Sequence, residues 1–166
     1  VALRAGGIMI PENIVSHAFT DVDPNKWYAP VIARGVETNV ISDATPYFRP
    51  EDRITKAEFL AMLFRATAVR VNKYVGKTRN VAQDIPHDAW FAPYFSYAKR
   101  YQIAHLPPDQ YYRPHKALSR REVGLFTYRQ LKLFYGTEET HVFVELQAEI
   151  EQFITLLRAG KSEEAE

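Results

Sequence analysis

The 166-residue sequence contains no cysteine, which excludes thiol catalysis, disulfide scaffolds and cysteine-based zinc sites at once. It holds only seven glycines, and none forms a phosphate-cradling loop or a G-x-S-x-G elbow. No apolar run approaches the roughly 20 residues that a membrane helix needs, so no membrane insertion is expected. Charge of one sign is also missing: 21 Lys and Arg stand against 20 Asp and Glu, a net of +1, which disfavours a basic nucleic-acid glove and a polyacidic tail alike. The five histidines (His17, His87, His105, His115 and His141) include no pair at helical i, i+4 spacing and no H-E-x-x-H, so no metal site is expected of them. What is present in quantity is apolar, 46% of residues with 13% aromatic, a composition that folds rather than staying disordered.

The informative feature is repetition. Phe19-Thr20-Asp21-Val22 leads to Trp27-Tyr28-Ala29-Pro30, and Gln83-Asp84-Ile85 leads to Trp90-Phe91-Ala92-Pro93. Each Asp precedes its Trp by six residues, and the two Trp lie 63 positions apart. Tyr47-Phe48-Arg49-Pro50 answers Tyr111-Tyr112-Arg113-Pro114 at an offset of 64, and Thr55-Lys56-Ala57-Glu58 answers Ser119-Arg120-Arg121-Glu122 at the same offset. One residue inserted between the motifs accounts for the change. Leu3-Arg4-Ala5 also resembles Phe64-Arg65-Ala66, which marks Val1–Ile8 either as the end of a preceding repeat or as an isolated helical scrap.

Each copy reads as helix, loop, helix. The first helix is expected to start around Asp23 or Lys26 and run to about Thr38, with Pro30 tolerable in its first turns. Thr55 with Glu58, and Ser119 with Glu122, are capping boxes ahead of amphipathic runs. Between the copies, Arg70, Lys73, Lys77 and Arg79 without an acid read as an exposed basic connector. Beyond the second copy, Phe143, Leu146, Ile150, Phe153 and Leu157 fall at spacings of 3, 4, 3 and 4, the narrow seam of an amphipathic helix that docks on its own domain or on a partner. The expected fold is therefore mainly α: tandem helix-loop-helix repeats packed as one unit, plus a C-terminal amphipathic helix. Its expected divisions are 1–18 (the tail of a possible preceding repeat and a linker), 19–69 (repeat 1), 70–81 (connector), 82–136 (repeat 2) and 137–166 (C-terminal helix and polar tail).

The pattern resembles the S-layer homology domain, a repeat of bacterial cell-surface proteins with an F-x-D-V entry, a Trp-containing helix, an F-R-P loop and a T-R-A-E motif. The resemblance implies a helical set of repeats with an extracellular place at the cell surface or cell wall. It implies non-covalent anchoring to a cell-wall polysaccharide, commonly an anionic one, and neither a reaction nor a cofactor. Carried onto this chain, the arginine of T-R-A-E is Arg120 in the second copy and Lys56 in the first, which keeps the charge but loses the planar fork. Trp27 and Trp90 stand at the family tryptophans, as groove-shaping sugar platforms or as core wedges. Asp21 and Asp84 stand at the entry aspartates, as ligand contacts or as braces of the entry turn.

The chain departs from the family at Asn39 and Gln102, where a glycine usually follows the first helix. Gln102 is a poor left-handed residue, so that turn is expected to change shape. Asp21, Asp23 and Asn25 open like a calcium loop, but Lys26 and Ile32 occupy the places of its glycine and bidentate glutamate, which argues against calcium. The expectation is a non-catalytic anchoring module. The alternative is a structural assembly subunit of a surface layer or appendage, in which the repeats pack against protein and the C-terminal helix joins further copies or a surface-protein partner.

Overall fold

The structure, a computed structural model, describes residues 1–11, 18–75, 78 and 81–135. The chain divides into two compact units, Val1–Thr127, which holds both copies of the repeat, and Tyr128–Glu166. Five α-helices are present among the described residues and no β-strand: α1 (Ala2–Ala5), α2 (Ala29–Glu37), α3 (Lys56–Ala66), α4 (Ala92–Arg100) and α5 (Arg120–Tyr135). A mainly α fold is what the repeat pattern predicts. The C-terminal seam from Phe143 to Leu157 lies outside the described residues.

The two copies match in detail. Helices α2 and α4 have nine residues each, begin Ala-Pro and carry Pro in the first turn, where a missing N–H costs nothing. Helix α2 starts later than expected, at Ala29 instead of Asp23 or Lys26, and α4 starts at the equivalent Ala92. Ahead of α2 the Asp23 carboxylate accepts from the Asn25 amide (2.9 Å), a side-chain-to-backbone bond that draws Asp23–Tyr28 into turns instead of helix. Helices α3 and α5 open with the expected capping boxes. The Glu58 amide donates to Thr55 Oγ1 (3.3 Å) while the Thr55 amide donates to Glu58 Oε2 (2.8 Å). Ser119 and Glu122 repeat this at 3.2 and 2.9 Å.

Two residues past the end of α2 the chain turns at Asn39 with φ 57°, and two past the end of α4 it turns at Gln102 with φ 57°. The amides of Val40 and Ile103 then reach back to the carbonyls of Gly35 (2.8 Å) and Ala98 (2.9 Å). The turn at Gln102 has thus kept the shape of its counterpart, contrary to expectation. Ile103 and Ala104 are fully buried just beyond it, and their burial offsets the roughly 1–2 kcal/mol that a side chain adds in the left-handed region.

A third copy of local geometry supports the resemblance of Leu3-Arg4-Ala5 to Phe64-Arg65-Ala66. Gly7 (φ 67°) and Ala68 (φ 55°) occupy the same left-handed place. Gly7 and Ala68 donate to the carbonyls of Arg4 and Arg65, and Ile8 and Val69 to those of Leu3 and Phe64. Helix α1 packs against α3, with Leu3, Val40 and Ala66 in one cluster and Val31 at its edge. Gly6 lies so close to α3 that a Cβ there would meet the Ala66 carbonyl oxygen at 2.1 Å.

The core of the first unit runs through Leu60, Leu63, Phe64, Phe95, Ala98, Ile103 and Tyr112, all essentially without solvent contact. Phe64 stands edge-on to Tyr97 and stacks on Tyr94, joining α3 to α4. The connector is only partly exposed: Val71–Tyr74 is a 3-10 turn packed on α4, with Val71 and Tyr74 buried and Arg70 and Lys73 in solvent. Lys77 and Arg79 lie outside the described residues.

Candidate functional site

The entry aspartates are braces. Asp21 accepts the amides of Phe48 (2.8 Å) and Arg49 (2.6 Å), one on each carboxylate oxygen. Asp84 accepts those of Tyr112 (2.9 Å) and Arg113 (2.6 Å) in the same way. Each carboxylate closes the long loop of its repeat at the aromatic-Arg-Pro motif, where Arg49 and Arg113 take the left-handed conformation (φ 60° and 55°). The Phe48 amide, with help from that of Arg49, holds the Asp21 carboxyl below its ordinary value despite some desolvation. Both oxygens of Asp21 thus accept backbone amides of the loop.

Lys56 and Arg120 occupy equivalent first turns yet have different surroundings. Lys56 is 11% exposed at its side chain, and its ammonium donates to the Tyr112 carbonyl (2.9 Å) and lies 3.3 Å from Glu122 Oε1. Repeat 1 thereby grips the same residue whose amide Asp84 holds from repeat 2. Neighbouring backbone completes the seam: the amides of Lys56 and Ala57, orphans of the α3 terminus, donate to the carbonyls of Lys116 and Pro114, and Leu118 donates to Ile54. Burial alone would raise the Glu122 carboxyl, but hydrogen bonds from the Ser119 amide and hydroxyl, with the Lys56 ammonium, outweigh it and leave the group below its ordinary value. Arg120 is exposed and, among the described residues, makes no ion pair, and the same holds for Lys116 and Arg121.

The motif arginines are compensated, Arg49 by Asp52 of its own loop and Glu58 of α3, and Arg113 by Asp109. The Asp109 carboxyl is held low, by Arg113 first and the Tyr111 amide second.

The two tryptophans are exposed, Trp27 by 82% and Trp90 by 56%, which rules out the core-wedge reading. Each leans on the aromatic residue that caps its helix: Trp27 on Tyr28 with ring centres 5.7 Å apart, Trp90 on Phe91 at 5.5 Å. Trp90 also meets Tyr94 edge-on at 6.2 Å. Tyr94 also meets Arg65, which donates from Nε to the Tyr94 hydroxyl (3.1 Å) and stands 5.8 Å from the ring centre. Ring contacts continue from Phe91 to Phe95 and from Phe95 to Tyr112, tying Trp90 to the residue held by Asp84 and Lys56. Sequence reasoning missed Arg65 and Tyr94, which stand 29 positions apart and meet only because α3 packs on α4.

Among the described residues no three His, Asp or Glu side chains come together in a metal-binding group, and no helix is long and apolar enough to cross a membrane. Tyr112 is 1% exposed, its hydroxyl donates to the Ala104 carbonyl (3.0 Å), and burial, with the Asp84 charge, pushes its pKa up to about 12. It is a structural phenol locked in the protonated form.

No curated protein and no solved structure matches the chain. The family model of the S-layer homology domain matches residues 18–60 and 84–123, two stretches that together make up half of the chain. Domains of this kind are generally non-catalytic surface-anchoring modules that bind cell-wall polymers. The matched stretches coincide with the two structural copies braced by Asp21 and Asp84, and the chain belongs to the S-layer homology domain family, which associates it with the cell surface or cell wall.

Proposed function

We propose that the chain anchors a protein to a cell-wall polysaccharide bearing acidic substituents. The observation that carries this reading is the exposure of Trp27 and Trp90 at equivalent places in both repeats. An indole left in water forgoes roughly 2 kcal/mol of burial, so two such rings in register have no packing rationale and fit stacking against pyranose faces. Uncompensated Arg120 and Arg121, with Lys116, supply positive charge for an acidic polymer. In this reading Lys56, Asp21 and Asp84 shape the surface from beneath: their charged atoms are engaged with the protein itself.

Co-sedimentation with cell-wall sacculi, before and after their secondary polymer is stripped, tests the proposal. Pelleting is expected to vanish on stripping, to weaken with salt and to be lost in Trp27→Ala/Trp90→Ala, whose melting temperature stays near that of the parent because both rings are exposed. Pelleting that survives stripping, or that survives the double substitution, would overturn it. One observation favours the assembly alternative, the exposure of Leu133, Phe134 and Tyr135 at the end of α5. A discrete oligomer by light scattering without sacculus binding would decide for it.

A further inference from the structure

On the face formed by the connector turn and the end of α4, a cavity of about 350 Å³ is lined by Lys73, Tyr74, Ser96, Arg100 and Tyr101. It lies at the lower end of the ~300–1,000 Å³ range of small-molecule pockets. Its chemistry is one-sided. Among the described residues two cations line it, no carboxylate does, and neither Lys73 nor Arg100 is in an ion pair. Each cation stands against a tyrosine ring, the Lys73 ammonium 5.4 Å from the centre of Tyr74 and the Arg100 guanidinium 5.8 Å from that of Tyr101. These contacts hold both long side chains at the rim at small further cost in rotamer entropy.

The tyrosines are linked. The Tyr74 hydroxyl donates to the Tyr101 hydroxyl oxygen at 3.1 Å. Tyr74 is buried and edge-on to Tyr97, so its ring is fixed. Hydrogen bonding from Tyr74 first, and from Arg100 second, holds the Tyr101 hydroxyl below its ordinary value, while burial pushes Tyr74 up to about 12. Tyr101 therefore receives a hydrogen bond at its oxygen, which leaves its own O–H as a donor. A hydroxyl donor and two unpaired cations lining one cavity are the complement of an oxyanion on a compact ligand.

We propose that this cleft binds a small ligand carrying a single oxyanion, a carboxylate or a phosphate. Lys73 and Arg100 supply the charge and the Tyr101 hydroxyl the directed hydrogen bond. None of these residues belongs to the repeat motifs, and the inference goes beyond wall anchoring without resting on it.

The test is calorimetric titration of the full chain with inorganic phosphate, with glucuronate and with glucose as the neutral twin of glucuronate. Phosphate or glucuronate is expected to bind in the millimolar range, and glucose not at all. Binding of phosphate alone assigns a phosphate ligand, and binding of glucuronate alone a carboxylate. Lys73→Gln/Arg100→Gln should weaken the bound anion at least tenfold, and Tyr101→Phe, which keeps the ring, several-fold. Arg53→Ala, at an exposed cation outside the named residues of both proposed sites, should leave binding unchanged. Both Lys73 and Arg100 are exposed, so the double variant is expected to melt with the parent, and the Tyr101→Phe result stands by itself if it does not. The proposal is overturned if neither anion binds, if glucose binds as well as glucuronate, if the double variant binds the anion undiminished, or if Arg53→Ala abolishes binding.

Discussion

Asp84→Ala removes both acceptors that close the loop of the second repeat, at 2.9 Å from the Tyr112 amide and 2.6 Å from that of Arg113. A hydrogen bond to a charged group contributes about 1.5–3 kcal/mol net. The amide of buried Tyr112 loses its share in full, whereas that of exposed Arg113 regains part from water, so a loss of about 3 kcal/mol is expected. At about 2.1 cal/mol/K per residue, the unit Val1–Thr127 has an unfolding entropy near 0.27 kcal/mol/K, and the melting temperature should fall by roughly 11 °C. Thermal melts followed by near-UV circular dichroism measure this directly, since Tyr112, Phe95 and Phe91 form the ring chain next to the loop. Asp84→Asn should fall between parent and alanine, because an amide offers one oxygen and turns an N–H donor toward another donor. Because Lys56 holds the carbonyl of the same Tyr112, a double-mutant cycle with Lys56→Met should be non-additive. A fall of less than about 2 °C, well inside the effect of an ordinary surface substitution, would refute the brace.

Three further outcomes are expected. Lys56→Met should cost about 2 kcal/mol by stranding the Tyr112 carbonyl and Glu122, whereas Arg120→Met at the equivalent position should change stability by less than about 0.5 kcal/mol; urea titrations of the pair decide it. Gln102→Gly should raise stability by about 0.5–1 kcal/mol, because φ 57° strains a side-chain-bearing residue and suits glycine, a gain that would appear as a higher melting temperature. Alkaline melts should show a loss specific to Tyr112. Its folded pKa of about 12 lies above the ordinary value of 10, so the protonated form is favoured in the folded state. The stability it contributes is intact below pH 10 and declines toward pH 12 by about 1.4 kcal/mol per unit, and Tyr112→Phe should remove that part of the slope.

Much of the architecture was legible because it is local. The capping boxes at Thr55 and Ser119 are read from residue type and a spacing of three, and a helix N-terminus asks for nothing else. The braces were half legible: an aspartate six residues before a tryptophan, twice, marks an entry turn, but its donor partners lie 27 to 29 positions away. The left-handed turn at Gln102 was misread, because residue preference is a penalty of about 1 kcal/mol that burial of Ile103 overrides. The start of α2 was placed too early because periodicity does not register the Asp23 side chain competing for backbone amides.

The sequence by itself determined the repeat, its family, its helical character and the absence of thiol chemistry, all of which follow from residue identity and order along the chain. Only the tertiary structure decided the roles of the cations and aromatics. Lys56 and Arg120 are interchangeable in the repeat pattern, yet one is buried against the next copy and the other stands in water, because repeat 2 covers the first turn of α3. The packing of α3, the connector turn and α4 likewise brings Arg65 to Tyr94 and Lys73 to Arg100. Charge compensation and solvent exposure depend on which neighbours arrive from distant sequence, and that is settled by packing.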